Sequence, residues 1–162
     1  MINKTSEIQT LDLLTKMMKG NDYSYDIYFR MAVIENYLNG NNKIWDIYDK
    51  LQLTRIRKIK VIPKNMIDHR NQFIYLINNF IDIGFNEEYP ILINNEYLVI
   101  DGAHRMACAL YFNIPKVYII TNDKFANYIP TEYTKQWFID NELSECIPLA
   151  DEQKKLVMRR LN

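Results

Sequence analysis

The segment Tyr97–Ile120, YLVIDGAHRMACALYFNIPKVYII, constrains the fold of this chain more than any other stretch. Tyr97–Ile100 predicts a strand, and Asp101-Gly102 a sharp turn. Ala103–Phe112 predicts a helix stopped by Asn113-Ile-Pro115, and Val117–Ile120 a second strand. The small residues Ala103, Ala107 and Ala109 let that helix lie close to a sheet, with Met106 and Leu110 turned into it. A helix start exposes unpaired N–H groups and about half a positive charge, which suits an anion. Glycine just before it allows close backbone approach. His104 and Arg105 fall in the first turn, where a cation is unfavourable unless an anion is there too. Arginine grips phosphate oxygens with paired bonds, and histidine donates another or moves a proton. Asp101-Gly-Ala-His-Arg105 is thus a candidate phosphate cradle; a plain turn, capped by Asp101 and with Arg105 paired to it, is the alternative.

Three helical stretches precede this segment. Ser6–Lys19 places Ile8, Leu11, Leu14 and Met18 on one face, with Ser6 as cap and Gly20 as stop. Tyr23–Leu38 repeats Ile27, Met31, Ile34 and Leu38 at helical spacing and ends at Asn39-Gly-Asn-Asn42. Ile44–Leu53 carries Ile44, Ile47, Tyr48 and Leu51. Residues 1–55 therefore predict a helical subdomain. Ile56, Lys58, Lys60 and Ile62 fall on one alternation and Arg57, Ile59 and Val61 on the other, which predicts a strand closed by Pro63. Asn65–Ile83 returns to helical period through Phe73, Leu76, Ile77 and Phe80, and Gly84 stops it. Pro90–Asn94 predicts a short strand, turned by Asn94-Asn95 into Tyr97–Ile100 as a hairpin.

Residues 56–121 thus form an expected α/β core, and residues 122–162 a helical extension. That extension holds helices at Thr131–Asn141, anchored by Tyr133, Trp137 and Phe138, and at Asp151–Leu161, capped by Asp151. Arg159-Arg160 complements a helix C-terminus. The fold class expected is α+β: one compact domain with a small mixed sheet and packed helices.

His69-Arg70 opens the helix after the predicted Ile56–Ile62 strand. The chain has 2 histidines, and each stands beside an arginine near a strand-to-helix junction, so the two helix starts can converge on one pocket. A solvated pair on a polar helix face is the plainer alternative.

The 20 basic and 20 acidic side chains cancel, which leaves no global field for a polyanion. With 48% hydrophobic and 25% charged residues, disorder is excluded. The basic run Arg55–Lys60 reads as a polar outer face rather than a nucleic-acid contact. No apolar run approaches the roughly 20 residues that span a bilayer. The opening Met1-Ile-Asn-Lys-Thr-Ser-Glu lacks the apolar block of an export signal, so a cytoplasmic location is expected. Cys108 and Cys146 suggest neither a disulfide nor a metal knuckle, and no metal-ligating set is expected.

The stretch Ile59–Ile120, about two fifths of the chain, resembles the ParB/sulfiredoxin-like fold. Pro90–Ile93 matches the family strand before the hairpin, Gly102–Arg105 its phosphate-binding turn, and Ile114–Ile119 its closing strand. The resemblance implies nucleotide phosphates at Gly102, Ala103, His104 and Arg105. ParB proteins usually carry Arg-Arg where this chain has His104-Arg105. Sulfiredoxins have Gly-Cys-His-Arg and use that cysteine; Ala103 stands in its place here, which excludes their chemistry. Cys108, one turn deeper, reads as core. The Asp-Gly-x-His-Arg form is most similar to free-serine kinases of the superfamily and to small proteins of polysaccharide gene clusters.

The kinase branch implies ATP or ADP, or alternatively CTP, with Mg²⁺ held by phosphates and a carboxylate. His104 and Arg105 would hold phosphates with His69 and Arg70 nearby. A carboxylate would activate the hydroxyl of a small-molecule acceptor, an amino acid or sugar-related metabolite. Asp68 comes first for that role and Asp101 second, ahead of Glu87 and Glu88. The alternative is a non-catalytic, nucleotide-responsive ParB-like module. Sequence-specific DNA binding is not expected, because the segment after Thr121 lacks a basic recognition helix. A nuclease is not expected either, since clustered carboxylates for two-metal hydrolysis are missing. A homodimer is compatible with either reading.

Overall fold

The computed structural model describes residues 4–18, 25–59, 66–125 and 134–162, without the side chains of residues 56–59 and 66–67. The elements run β1 (Thr5–Gln9), α1 (Thr10–Met17), α2 (Tyr25–Leu38), α3 (Ile44–Ile59), α4 (Met66–Ile83), β2 (Ile91–Ile93), β3 (Val99–Asp101), α5 (Ala103–Tyr111), β4 (Lys116–Thr121), a 3₁₀ turn (Asp123–Phe125), α6 (Lys135–Asp140) and α7 (Cys146–Leu161). The architecture is α+β, as the sequence predicts.

The 4-stranded mixed sheet has the order β1-β4-β2-β3. β2 and β3 form the expected antiparallel hairpin, with Leu92 opposite Asp101 and Ile93 opposite Val99. Its turn is held by Asn94, whose side-chain oxygen accepts from the N–H groups of Glu96 at 3.0 Å and Leu98 at 2.9 Å. An Asn that bonds the backbone ahead of it specifies a turn locally. α5 carries the chain from β3 to β4, and β4 returns parallel to β2, with Ile91 opposite Ile119.

Two expected elements are corrected. Ser6 does not cap a helix: Thr5–Gln9 is a strand, antiparallel to β4 from Thr5 opposite Ile120 to Gln9 opposite Lys116, and the helix starts only at Thr10. β4 would otherwise present an unpaired edge, and pairing its N–H and C=O groups outweighs the helical spacing of Ile8 and Leu11. Ile56–Ile62 is not a strand as far as it is described, because α3 continues through Ile59. Ile56 and Ile59 lie three apart, a spacing that suits one face of a helix, whereas alternation would put them on opposite faces of a strand. Residues 60–65 lie outside the described residues, as do the cap at Gly20 and Tyr133. α7 begins at Cys146, with Pro148 in its first turn, where the missing N–H costs nothing. Asp151 is therefore inside α7 rather than its cap.

α2 runs through the middle of the molecule, in contact with α3, α5 and α7. All ten residues from Tyr25 to Ile34 are buried, which makes it a core helix on every face. One hydrophobic cluster extends from Leu13 through Val33, Phe73, Ile91, Leu110 and Val117 to Val157. Met106, Ala107, Cys108, Ala109 and Leu110 are fully enclosed, so α5 is fixed between sheet and helices. Arg160 of α7 donates to the carbonyl of Leu110 at 2.6 Å, so the C-terminal cation complements the end of α5. Among the described residues no helix is long and apolar enough to cross a membrane.

Candidate functional site

The mouth of α5 is shaped by Gly102, which is buried and holds φ at 104°. A Cβ there would stand 3.0 Å from Arg105 Nη2 and 3.3 Å from the Cα of Ile91. Only glycine satisfies both the backbone angle and that approach. The first bond of the helix runs from Met106 N–H to the Gly102 carbonyl at 2.9 Å. The N–H groups of Ala103, His104 and Arg105 thus lack acceptors within the helix, and among the described residues no N-cap side chain accepts from them. Asp101 is exposed and turns to Arg105 instead, Nη2 donating to its carboxylate at 3.4 Å.

Arg105 lies along the sheet. Its Nη2 also donates to the Pro90 carbonyl at 3.1 Å, which ties the guanidinium to the entry of β2. Its Nε is buried and has no hydrogen-bond partner among the described residues. A donor in that condition costs stability unless something accepts from it.

His104 turns inward. Its Nε2 accepts from Nε of Arg30 at 3.2 Å and lies 2.9 Å from the hydroxyl of Tyr48. Its ring stands edge-on to Phe73, with centroids 4.7 Å apart. Part of the residue reaches the surface, but the imidazole itself is packed among Arg30, Tyr48 and Phe73. A guanidinium has no lone pair to offer, so Nε2 is an acceptor and carries no hydrogen. The ring is then neutral with its proton on Nδ1, and Nδ1 has no partner among the described residues. Burial holds the His104 pKa well below the usual imidazole value, helped by the charges of Arg30, Arg55, Arg105 and His69. The three arginines stand on α2, α3 and α5 and His69 on α4, and Arg30 is the one bonded to the ring among the described contacts.

Behind the ring lies a chain of polar groups. Gln52 donates to the Tyr48 hydroxyl at 2.7 Å, and Arg55 donates to the Gln52 carbonyl oxygen at 3.0 Å. On the other side Arg30, fully enclosed, pairs with Asp26 at 2.9 Å. Burial raises the Tyr48 pKa, so the hydroxyl keeps its proton and donates it to Nε2.

The other sequence candidates divide. His69 is half-buried in α4, and no hydrogen bond or ring contact joins it to His104 among the described residues. Arg70 is engaged elsewhere: its Nε donates to Asp49 at 3.0 and 2.9 Å, and its Nη2 to Asp49 and Asp46. It joins α4 to α3. Asp68 is exposed. Glu87 and Glu88 line a separate cleft of about 550 Å³ with Thr5, Ser6, Glu7 and Tyr118. Among the described residues no group of three His, Cys, Asp or Glu side chains could hold a metal ion.

Arg30, Tyr48 and Gln52 were not singled out as site residues from the sequence. A signal was present: between Tyr25 and Ile34 the only charged residues are Asp26 and Arg30, four apart in an otherwise apolar helix. A lone cation in a core helix needs a buried partner. Cys108 and Cys146 are free and buried. Burial raises both thiol pKa values, that of Cys146 to about 12.

No family model matches this sequence, and no curated protein or solved structure is significantly similar to it.

Proposed function

We propose that the protein binds the phosphates of a nucleotide, ATP or ADP with CTP as the alternative, at the mouth of α5. It would then pass a phosphoryl group to the hydroxyl of an amino acid or sugar-related metabolite. The observation that carries this reading is the start of α5, where Gly102 brings the backbone close and the N–H groups of Ala103, His104 and Arg105 lack acceptors within the helix, beside the Arg105 guanidinium. Such a place repels cations and favours an anion. The order hairpin, Gly-x-His-Arg helix, parallel strand supports a ParB/sulfiredoxin-like core. The close approach at Gly102 supports a phosphate drawn against the backbone.

Mg²⁺ fits this site only as a companion of the nucleotide, held mainly by phosphate oxygens, because the chain offers no ligand cluster among its described residues. Asp101 and Asp68, both exposed, stand as the candidate carboxylates for the acceptor hydroxyl. Catalysis of this kind rests on positioning and charge stabilisation more than on covalent chemistry.

One observation favours a second reading, a nucleotide-responsive binding module without catalysis. Asp26, Asp49 and Asp101 are already in ion pairs with Arg30, Arg70 and Arg105. Carboxylates so engaged are not free to turn to an acceptor hydroxyl.

Thermal shift with ATP, ADP, CTP and GTP in the presence of Mg²⁺ tests both. A ligand at a hundred times its Kd adds about 2.7 kcal/mol of stability. If none of the four stabilises the protein, the phosphate-binding reading fails. If one binds and its labelled terminal phosphate moves to no hydroxyl acceptor, the binding module is the better account.

A further inference from the structure

We infer that Arg30 and Tyr48 are positioning residues that lock His104 as a neutral donor, with its Nδ1–H offered to the bound phosphate. This rests on the reading of the α5 mouth as a phosphate site, and adds the protonation state in which the histidine works and the residues that impose it.

The geometry leaves the ring one arrangement. Nε2 faces two donors, Arg30 Nε at 3.2 Å and the Tyr48 hydroxyl at 2.9 Å. The hydroxyl acts as a donor here because its oxygen already accepts from Gln52 at 2.7 Å. A hydrogen on Nε2 would point straight at a guanidinium N–H. Imidazolium is excluded for the same reason, and it would add a charge beside Arg30, Arg55, Arg105 and His69. Asp26, the carboxylate next to Arg30, is already bonded to that guanidinium and does not reach the ring. Asp49, the other acidic group acting on Tyr48, is held by Arg70.

Covalent geometry limits where the donor lies. Nδ1 is bonded to the ring carbon nearest the backbone, so it stands closer to the first turn of α5 than Nε2 does. The N–H groups of Ala103, His104 and Arg105 in that turn lack acceptors within the helix. On this inference the ring N–H joins them. A surface histidine would bind phosphate best when protonated and release it as pH rises through its pKa. A locked neutral donor does not: its contribution stays constant across neutral pH.

The test uses the full chain labelled with ¹⁵N-histidine. The protein has 2 histidines, so a His69→Asn variant assigns the spectrum by loss of one ring. The expected result for His104 is a protonated Nδ1 and a bare Nε2 throughout about pH 5.5 to 8, without ligand. Addition of the nucleotide found by thermal shift, or of pyrophosphate, then moves the Nδ1–H resonance and leaves Nε2 in place. Tyr48→Phe keeps the ring packing and removes one of the two donors. It is expected to weaken nucleotide binding about fivefold, the value of one hydrogen bond, and to bring in a minor Nε2-protonated population. In Asp26→Asn/Arg30→Gln the ring is expected to gain an Nε2 proton and to titrate.

A protonated Nε2 or a doubly protonated ring in the wild type at neutral pH overturns the lock while leaving nucleotide binding standing. A bare Nε2 with no response to any phosphate ligand overturns the site reading, and the donor role with it. Since the wild-type spectrum decides the first point, a variant that fails to fold does not protect the inference.

Discussion

Arg30 Nε donates to His104 Nε2 over 3.2 Å, joining the middle of the core helix α2 to the first turn of α5. The two residues are 74 positions apart, and each constrains the other. Arg30 is fully enclosed and cannot move to solvent, while His104 sits at the mouth where a ligand would arrive. The first turn of α5 is therefore joined to the packed interior by this bond, by the Tyr48 hydroxyl at 2.9 Å and by the Phe73 ring.

Removing that arginine is expected to be severe. Arg30→Met leaves the Asp26 carboxylate, itself 6% exposed, without its partner. Breaking a buried pair in this way costs about 3–5 kcal/mol. The double variant Asp26→Asn/Arg30→Met removes the stranded charge and should recover much of that loss. Urea unfolding of the two proteins measures the difference. Equal destabilisation in both would show that the pair contributes through packing, not through charge.

Gly102→Ala is expected to destabilise the fold by about 1–3 kcal/mol, the usual cost of a side chain forced into an unfavourable backbone region. The new methyl also meets Ile91 Cα at 3.3 Å, and a strand backbone cannot swing away as a side chain would. Loss of nucleotide binding should exceed the loss of stability, since the same methyl crowds the mouth. Chemical denaturation alongside calorimetric titration separates the two effects. An alanine variant as stable as the parent would contradict the backbone argument.

Arg105→Lys should discriminate phosphate gripping from simple charge. Lysine keeps the cation but loses the fork that reaches the Pro90 carbonyl and leaves Nε available. Nucleotide affinity is expected to fall about tenfold or more, the range for a charge-assisted bond. Fold stability should fall by about 1 kcal/mol, the value of the bond to Pro90, because the pair with Asp101, itself 75% exposed, contributes little. Unchanged affinity would place the phosphates elsewhere.

The two thiols should be silent. Cys108 and Cys146 are enclosed, and burial raises both pKa values, so little thiolate forms at pH near 8. A thiol reagent is expected to react only as the protein unfolds, with the rate following urea concentration. Fast labelling of the native protein would mean that α5 or α7 opens locally.

The parts of this architecture that could be read in advance are those whose cues are local. The β2–β3 turn is written in Asn94, whose side chain bonds residues two and four ahead, and α5 in the glycine before it and the Asn-Ile-Pro after it. β1 has no such cue. Its residues pair with a strand more than a hundred positions later, and only the exposed edge of β4 explains why they are extended. The end of α3 is harder to read, because the helical spacing of Ile56 and Ile59 is set among basic residues that break any one pattern. The candidate site divides in the same way. Gly102, His104 and Arg105 announce themselves as a turn, whereas Tyr48 reaches the ring from 56 residues away and Arg30 from further still. Arg70 could not be placed from its sequence neighbours, because its guanidinium pairs with Asp49, 21 residues earlier in α3.

His104 also links stability to pH. Its folded pKa lies well below the ordinary imidazole value, chiefly through burial, whereas in the unfolded chain it returns to about 6.5. Between those two values the unfolded state binds a proton that the folded state refuses, so acid favours unfolding. The stability attached to this group is therefore complete above about pH 7 and is lost as pH falls through about 6.5. One proton of difference gives a slope near 1.4 kcal/mol per pH unit until the folded ring itself is protonated. Urea midpoints taken from about pH 7.5 to 5.5 should show this decline before most carboxylates begin to titrate. His104→Gln keeps an acceptor for Arg30 and cannot titrate, so its profile over the same range should be flatter by that one proton. A parent and variant with parallel profiles would mean that the imidazole is as easily charged in the folded protein as in the unfolded one, and the locked neutral ring could not stand.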